Sequence, residues 1–304
     1  MDRQKVLAIV GPTGIGKTSL SVWLAKQLDG DIISCDSMQV YKKMDIGTAK
    51  VTQEEMQGIH HELIDVQNYN EPYNVKVFQE KCRTAIEDVV KRGKFPILCG
   101  GTGLYLKAAL YDYEFQEENE DIAYTTFLNS KTNEELVAML KEKDEKALEK
   151  IHPNNRKRLI RALQICHSGT SKSEQEDKQQ HIPLYDVYFL GLDVNRDILH
   201  DRINKRVDIM FENGLVKEVE DLFTNPETWE YTSFQGIGYK EFKDYFLKEK
   251  SIDEVKTAIK THSRQYAKRQ YTWFKNQMPV HWFEAQNRDE IYSAVKEWLM
   301  DEDK

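Results

Sequence analysis

Short apolar segments alternate with longer stretches of helical periodicity along most of the chain. Five runs rich in apolar and β-branched residues predict buried strands. They extend over Lys5 to Val10, Asp31 to Cys35, Pro96 to Cys99, Val187 to Val194 and Val280 to Phe283. Strands separated by helical stretches are typical of a parallel sheet with helices on its faces. The pattern therefore predicts the α/β fold class.

The alternation stops after a glycine-rich turn near residue 101 and returns near Tyr185. Between them, an acidic stretch is followed by helical patterns over Asn133 to Lys150 and Pro153 to His167. We interpret 114–182 as a helical insertion domain in an α/β core formed by 1–113 and 183–304. Downstream, Asn195 predicts the N-cap of a long helix over Arg196 to Glu212.

Composition changes this picture little. The 304 residues are 40% hydrophobic and 31% charged, which is ordinary for a soluble globular protein. No apolar stretch reaches the about 18 residues of a membrane helix, and a strand begins almost at the first residue, so we expect a cytoplasmic protein without a membrane partner. We also expect the protein to be monomeric. The four cysteines are widely spaced and none forms a C-x-x-C pair, which argues against a zinc or redox motif.

The first strand leads directly into a phosphate-binding loop. The string Gly11-Pro12-Thr13-Gly14-Ile15-Gly16-Lys17-Thr18 matches the pattern G-x-x-x-x-G-K-[ST] and is followed by a helical stretch. The glycines let backbone N–H groups turn toward phosphate oxygens, Lys17 adds positive charge, and the Thr18 hydroxyl suits Mg²⁺. The opening segment therefore predicts a P-loop NTPase-like sheet that binds a di- or triphosphate.

Further polar residues are expected at the same edge of the sheet. Asp36 follows the second strand, where ligands of open α/β folds bind, and it would hold Mg²⁺, accept a proton or cap a turn. Gly100 to Gly103 form a turn after another strand. Arg202 and Arg206 lie four apart on the long helix and face one way, either to clamp a leaving group or to pair with Asp201 or Asp208.

Two basic segments stand out because the net charge of the chain is −8. The first contains Lys150, Arg156, Lys157, Arg158, Arg161 and Lys172, and the second contains Lys256, Lys260, Arg264, Lys268, Arg269 and Lys275. In the second, four cations recur every four residues and form one helical stripe. Tyr266, Tyr271, Trp273 and Phe274 are interleaved; exposed, they would stack on unpaired bases, whereas the alternative is a solvated helix with its aromatics in the core.

From the residues alone, several functions stay open. Phosphoryl transfer is the default reaction of such a loop, so a small-metabolite kinase fits the inventory. A non-catalytic RNA-binding protein would explain the basic segments, but it gives no reason to keep Lys17, Thr18 and Asp36 together.

A series of motifs resembles the tRNA dimethylallyltransferase family in its compact bacterial form. Besides the phosphate loop, the matching strings are Asp36-Ser37-Met38-Gln39-Val40-Tyr41, Met44 to Lys50, His60 to Asp65, Gly100 to Tyr105, His152-Pro153-Asn154-Asn155, Gly236-Ile237-Gly238-Tyr239-Lys240 and Gln265 to Gln270. They extend over nearly the whole chain, although Ala123 to Lys150 carries fewer family signatures. An adenylate-type isopentenyltransferase shares the loop chemistry but would not need the basic segments.

The resemblance implies a reaction and a role for each motif. The loop residues Gly11 to Thr18 would hold dimethylallyl diphosphate, with Mg²⁺ on Thr18, and the prenyl acceptor would be the N6 amine of the adenosine 3′-adjacent to the tRNA anticodon. Asp36 would be the catalytic base, and Thr13 and Arg206 would contact the diphosphate. The tRNA anticodon stem-loop would contact Asp36, Ser37, Met38 and Gln39, then Lys157, Arg158, Leu159, Ile160 and Arg161, and finally Gln235, Gly236, Ile237, Gly238, Tyr239 and Lys240.

Overall fold

A computed structural model describes residues 3–115, 121–169, 171–174 and 181–301 of the chain. Its contacts separate two compact units, Met1–Tyr111 with Pro183–Lys304, and Asp112–Ile182. Residues 116–120 of the acidic stretch lie outside the described residues. Within the described parts of the chain, no helix combines the length and the apolar character needed to cross a membrane.

The first unit is built on a six-stranded sheet in which neighbouring strands are parallel, and this confirms the predicted α/β class. The strands are β1 (Lys5–Val10), β2 (Gly30–Ser34), β3 (His61–Glu62), β4 (Phe95–Gly100), β5 (Asp186–Asp193) and β6 (His281–Glu284). Their order across the sheet is β3-β2-β4-β1-β5-β6. The five predicted strands are shifted by only one residue at most of their ends. The short β3 was not predicted, because two residues carry no periodicity.

The helices of the described residues follow the predicted alternation. They are α1 (Lys17–Leu28), α2 (Gln53–Met56), α3 (Val75–Lys91), α4 (Gly103–Leu110), α5 (Ile122–Asn129), α6 (Asn133–Asp144), α7 (Arg156–His167), α8 (Arg196–Glu212), α9 (Leu215–Leu222), α10 (Lys243–Phe246), α11 (Ile252–Gln277) and α12 (Arg288–Met300). Short 3-10 turns cover Glu145–Glu149, Pro226–Glu230, Thr232–Gln235 and Lys240–Phe242. The predicted N-cap of α8 is confirmed, since the Asn195 side chain accepts a hydrogen bond from the Asp197 amide at 2.8 Å.

Alternate residues of β1 enter two different hydrophobic clusters. Val6, Ala8 and Val10 belong to one cluster, and Leu7 and Ile9 belong to the other. All five side chains are fully buried, because both faces of a parallel sheet are covered by helices. The first cluster includes residues of α3, α9 and α11, and the second includes residues of α1 and α12. This packing fixes the carboxyl ends of β1, β2 and β4 as neighbours at one edge.

The second unit has a small helical core of its own. Its buried residues are Leu128, Leu136, Leu140, Ala147, Ile151, Leu159, Ala162 and Leu163. Asn155 caps α7 by accepting a hydrogen bond from the Arg158 amide at 3.3 Å. Arg156 contacts Asn133 and the end of α5 and therefore serves the packing of this unit.

Candidate active site

The phosphate loop ends β1 and begins α1 in the geometry that its sequence predicts. Gly16 is the N-cap of α1 at φ 107°, in the left-handed region that favours glycine, and it has no side-chain cap. The first turn of α1 also contains no acidic residue. By contrast, α2, α6 and α11 each begin with a capping box. The first amides of α1 are therefore available to an anionic ligand.

Lys17 points back into the loop. Its Nζ donates hydrogen bonds to the carbonyl oxygens of Gly11 and Pro12, both at 2.9 Å. Burial lowers the pKa of Lys17 to about 8, while the nearby Cys99 and Asp36 oppose that shift and Arg206 adds to it. The ammonium is thus poorly solvated, and an anion in the loop would favour its charged form.

A cavity of about 810 Å³ opens beside the loop. Its lining combines residues from the loop, from the edge of β2 and from α8, including Thr13, Lys17, Thr18, Asp36, Gln39, Arg202 and Arg206. A second cavity of about 670 Å³ shares Gly14, Gly16 and Arg202 with it, but Lys17 and Asp36 do not line that one. We therefore place the candidate site in the larger cavity.

Asp36 follows β2, as predicted, and one of its oxygens has a structural role. Its Oδ1 accepts hydrogen bonds from the amides of Met38 at 2.8 Å and Gln39 at 3.3 Å. The turn-capping alternative is therefore correct for this oxygen. The cap engages only Oδ1, so the other oxygen of a half-buried carboxylate in the cavity wall is available for chemistry.

The two arginines of α8 face the loop, as their spacing predicts. Arg206 Nη1 donates to Thr13 Oγ1 at 3.1 Å, and Arg202 Nη1 lies 3.4 Å from the Ile15 carbonyl oxygen. Asp208, the alternative partner, instead forms ion pairs with Lys256 and Lys260, each at 2.7 Å. Arg206 therefore contacts the phosphate loop through Thr13 and does not form the alternative surface ion pair with Asp208.

Gln270 is a site residue to which sequence reasoning gave no role. It is 6% exposed, and its side chain bridges the loop to the glycine turn after β4. Oε1 accepts the Thr13 amide at 2.9 Å, and Nε2 donates to the Gly101 carbonyl oxygen at 2.9 Å. The spacing along the sequence could have indicated that Gln270 is buried, because it lies on the same helical face as the buried Ala267 and Phe274.

The second basic segment only partly matches its prediction. Lys256 and Lys260 both form ion pairs with Asp208, and Arg264 donates to Asn204 Oδ1 at 2.5 Å. Three members of the predicted stripe therefore bind α8. Lys268 remains exposed. The core alternative is correct for Phe274, which is fully buried. Tyr266, Tyr271 and Trp273 are half-buried, so stacking on bases stays a prediction for these three. Burial, with the Asp36 charge adding to it, raises the pKa of Tyr266 to about 12.

The residues expected to contact RNA divide by exposure. Lys157, Arg158 and Arg161 are exposed on α7 of the insertion unit, and Gln235 and Lys240 are exposed in the first unit. Leu159 and Tyr239 are fully buried, so the expectation that these two side chains contact RNA is corrected. Leu159 belongs to the core of the second unit, and Tyr239 belongs to the hydrophobic cluster of the first unit that also contains Val6, Ala8 and Val10. Ser37, Met38, Ile160, Gly236 and Ile237 are half-buried, and Gly238 is buried.

Comparison with known proteins identifies relatives along nearly the entire chain. The family model described as IPP transferase matches residues 39–277. A tRNA dimethylallyltransferase of Bacillus anthracis is 48% identical over 301 residues, covering 97% of this chain and 96% of the relative. The crystal structure of a full-length tRNA isopentenylpyrophosphate transferase from Bacillus halodurans is 41% identical with a TM-score of 0.75, and the match covers 98% of this chain and 97% of that one.

A more distant structure has a similar fold. It is described as a eukaryotic dimethylallyltransferase acting on tRNA, and it is 31% identical with a TM-score of 0.82. The match covers 98% of this chain and 78% of the eukaryotic one.

Proposed function

The chain belongs to the IPP transferase family and is a tRNA prenyltransferase, and we propose that it transfers a dimethylallyl group from dimethylallyl diphosphate to the N6 amine of the adenosine immediately 3′ of the anticodon. The observation that carries this proposal is the shared cavity of Lys17, Thr18, Arg206 and Asp36. It combines groups that bind a leaving diphosphate with a carboxylate suited to accept a proton. Since tRNA is the acceptor, the proposed location is the cytoplasm.

The donor side of the site is suited to departure of diphosphate. As the C1–O bond of the donor breaks, its electron pair passes to the diphosphate, which gains negative charge. Three groups are fixed around the loop before the reaction: the amides at the start of α1, the Lys17 ammonium and the Arg206 guanidinium. They therefore stabilise the charge on the departing diphosphate in the transition state more than they stabilise the bound donor in its ground state. Thr13 aligns Arg206 through its hydroxyl and is itself held by Gln270.

The residues of the cavity also fit Mg²⁺, the cofactor proposed for this enzyme. Mg²⁺ prefers oxygen ligands, retains several waters, and is held by one or two protein groups together with substrate phosphates. Thr18 Oγ1 would be the direct ligand, and Asp36 lies in the same cavity. Among the described residues, no cluster of three or more His, Cys, Asp or Glu side chains offers an all-protein cage. Bound there, the ion would neutralise charge on the diphosphate.

Asp36 is proposed as the general base. The N6 nitrogen donates its lone pair to C1 of the prenyl group, and the proton that N6 loses passes to the carboxylate. The hydrogen bonds from Met38 and Gln39 hold Oδ1 in place, which orients the second oxygen. The acceptor adenine has to leave its base stack to reach this carboxylate, as in other enzymes that modify a base.

The tRNA side of the proposal rests on exposed cations. Lys157, Arg158 and Arg161 would contact the anticodon loop from the insertion unit, and Lys240 with Gln235 would contact it from the first unit. Such contacts supply sequence-independent affinity through phosphate groups. A free-nucleotide acceptor such as AMP gives no role to these residues.

Asp36→Asn tests the assignment of the base. Asparagine keeps an oxygen that accepts from Met38 and Gln39, so the turn stays intact while the base is lost. We expect kcat to fall by about 10²–10⁴ while tRNA binding is unchanged, as measured with labelled dimethylallyl diphosphate and unmodified tRNA. Asp29→Asn, at an exposed carboxylate paired with Lys94, is the matched control. Parental turnover of Asp36→Asn would remove Asp36 from this role.

The same assay tests the acceptor. Purified protein is incubated with Mg²⁺, labelled donor and either tRNA or AMP. We expect label in tRNA, and label in AMP but not in tRNA would overturn the proposed acceptor.

A further inference from the structure

Glu218 holds a loop of the candidate site by its backbone. It lies on α9 and is half-buried. Its Oε2 accepts the amides of Asp45 at 2.8 Å and Ile46 at 2.7 Å, and its Oε1 accepts the amide of Gly47 at 3.0 Å. Three consecutive amides directed at one carboxylate fix the conformation of the segment 45–47, and charge-assisted bonds of this kind are stronger than neutral ones.

The same carboxylate also holds a second segment. Tyr239 donates its hydroxyl to Glu218 Oε1 at 2.7 Å. Burial, together with the Glu218 charge, raises the pKa of Tyr239 well above its usual value, so the hydroxyl stays protonated and remains a donor. Glu218 therefore joins the loop at 45–47 to the turn at 236–240.

The two segments are in direct contact because glycines replace side chains between them. A Cβ at Gly47 would lie 2.5 Å from the ring of Tyr239. Gly238 has φ 100°, and a Cβ there would lie 2.9 Å from the Gly47 carbonyl oxygen. Neither segment can shift far without moving the other, since protein packing of this density leaves no free volume between them.

Each segment leads to a different substrate of the proposed reaction. The loop continues to Ala49, whose carbonyl oxygen accepts from Gln39 Nε2 at 3.1 Å and lies 3.4 Å from Arg206 Nη2. Those two side chains line the donor cavity. The turn carries the exposed Lys240 and directly follows the exposed Gln235, and these two residues are the proposed RNA contacts in this unit.

We propose that Glu218 is a positioning residue that couples the prenyl-donor cavity to the RNA-contacting turn through its four hydrogen bonds. This inference rests on the proposed function of the two segments. When RNA orders the turn, Tyr239 and Glu218 hold the loop at 45–47 in the conformation that presents Ala49 to Arg206. By reciprocity, bound diphosphate favours the RNA-competent turn.

Glu218→Gln is the informative variant. An amide in place of the carboxylate directs an NH₂ group at one or two of the loop amides whichever way it is oriented, so bonds to the loop are lost, whereas the Tyr239 hydroxyl can also accept and keeps a weaker, uncharged bond. We expect the KM for donor and the KM for tRNA each to rise about tenfold, the effect of losing one charged hydrogen bond, with kcat within about threefold. Glu220→Gln, two residues along α9 and exposed, removes the same charge and should leave both constants unchanged.

Tyr239→Phe distinguishes the bond between Glu218 and the turn from the bonds between Glu218 and the loop. It removes only the bond to the turn and leaves the three loop amides on Glu218, so the KM for tRNA should rise while the KM for donor stays near the parental value. A Glu218→Gln enzyme that loses kcat and melting temperature with both KM values unchanged would have lost a merely structural residue, and the proposal would be overturned. The same holds if only one of the two KM values changes.

Binding without turnover separates this inference from the proposed function. Inorganic diphosphate with Mg²⁺ is titrated calorimetrically into the full chain, with and without an anticodon stem-loop RNA. We expect RNA to tighten diphosphate binding to the parent and to Glu220→Gln, but not to Glu218→Gln. An equal effect of RNA in all three proteins refutes the coupling, whereas absence of prenyl transfer by the parent refutes the proposed function alone.

Discussion

Gln270→Met should weaken both the fold and the donor site. Methionine keeps the length of the side chain and fills the same space, but it neither accepts from the Thr13 amide nor donates to the Gly101 carbonyl oxygen. The backbone at Gly101 approaches Gln270 so closely that a Cβ there would lie 2.0 Å from Nε2. The two orphaned groups therefore have little room for a replacing water.

The magnitude follows from these two bonds. A buried polar group without a partner costs about 1–3 kcal/mol. Gly101 is buried and bears the full cost, whereas Thr13 is half-buried and is partly compensated by solvent. The expected loss of unfolding free energy is about 2–4 kcal/mol in total, which lowers the melting temperature by about 3–6 °C for a chain of this size.

Thermal unfolding and donor kinetics measure the two effects separately. Release of the Thr13 amide loosens the loop and the hydroxyl that aligns Arg206, so we expect the KM for dimethylallyl diphosphate to rise about tenfold. Gln277→Met makes the same change on an exposed position of α11 and should alter neither quantity. If Gln270→Met melts within about 1 °C of the parent and binds donor equally well, the bridge does not stabilise the loop.

Three further predictions concern charge. Because the pKa of Lys17 is lowered to about 8, kcat/KM for the donor should fall as pH rises through 8, and a flat profile from about pH 7 to 9 would contradict this. The unfolded chain, with a lysine pKa near 10.5, binds more protons between about pH 8 and 10.5, so the Lys17 contribution to stability should rise over that window. Changing Lys157 and Arg158 together to alanine should weaken tRNA binding and reduce its salt slope by about 1.5. The pair Lys256→Ala/Lys260→Ala should leave the slope unchanged because Asp208 binds both lysines, and equal slopes for the two pairs would refute that distinction.

Features that depend on neighbouring residues were predictable from the sequence. The phosphate loop follows a strand and precedes a helix, Asp36 lies at the end of β2, and Asn195 caps α8. Glycine conformations, strand ends and caps are local properties, and sequence spacing determines them. The family resemblance read from the motifs is confirmed by relatives that cover nearly the whole chain.

Features that depend on distant residues were not predictable in the same way. The bond between Thr13 and Gln270 joins positions 257 apart, and the bonds from Glu218 to the loop at 45–47 join positions more than 170 apart. A polar residue on an amphipathic helix is usually solvated, so only the fold identifies the exceptions. The same reason explains why the ion pairs of Asp208 were missed.

The composition of α11 is explained by packing more than by RNA. Lys256 and Lys260 neutralise Asp208 on α8, the helix that carries Arg206. Further along α11, Trp273 lies so close to Gly103 that a Cβ there would meet its ring at 2.1 Å, and Gln270 bridges the phosphate loop. One helix thus fixes both the arginine and the loop that bind the proposed leaving group. Lys268 and Arg269 are the exposed cations further along this helix, so we expect any RNA affinity of α11 to depend on fewer cations than its sequence contains.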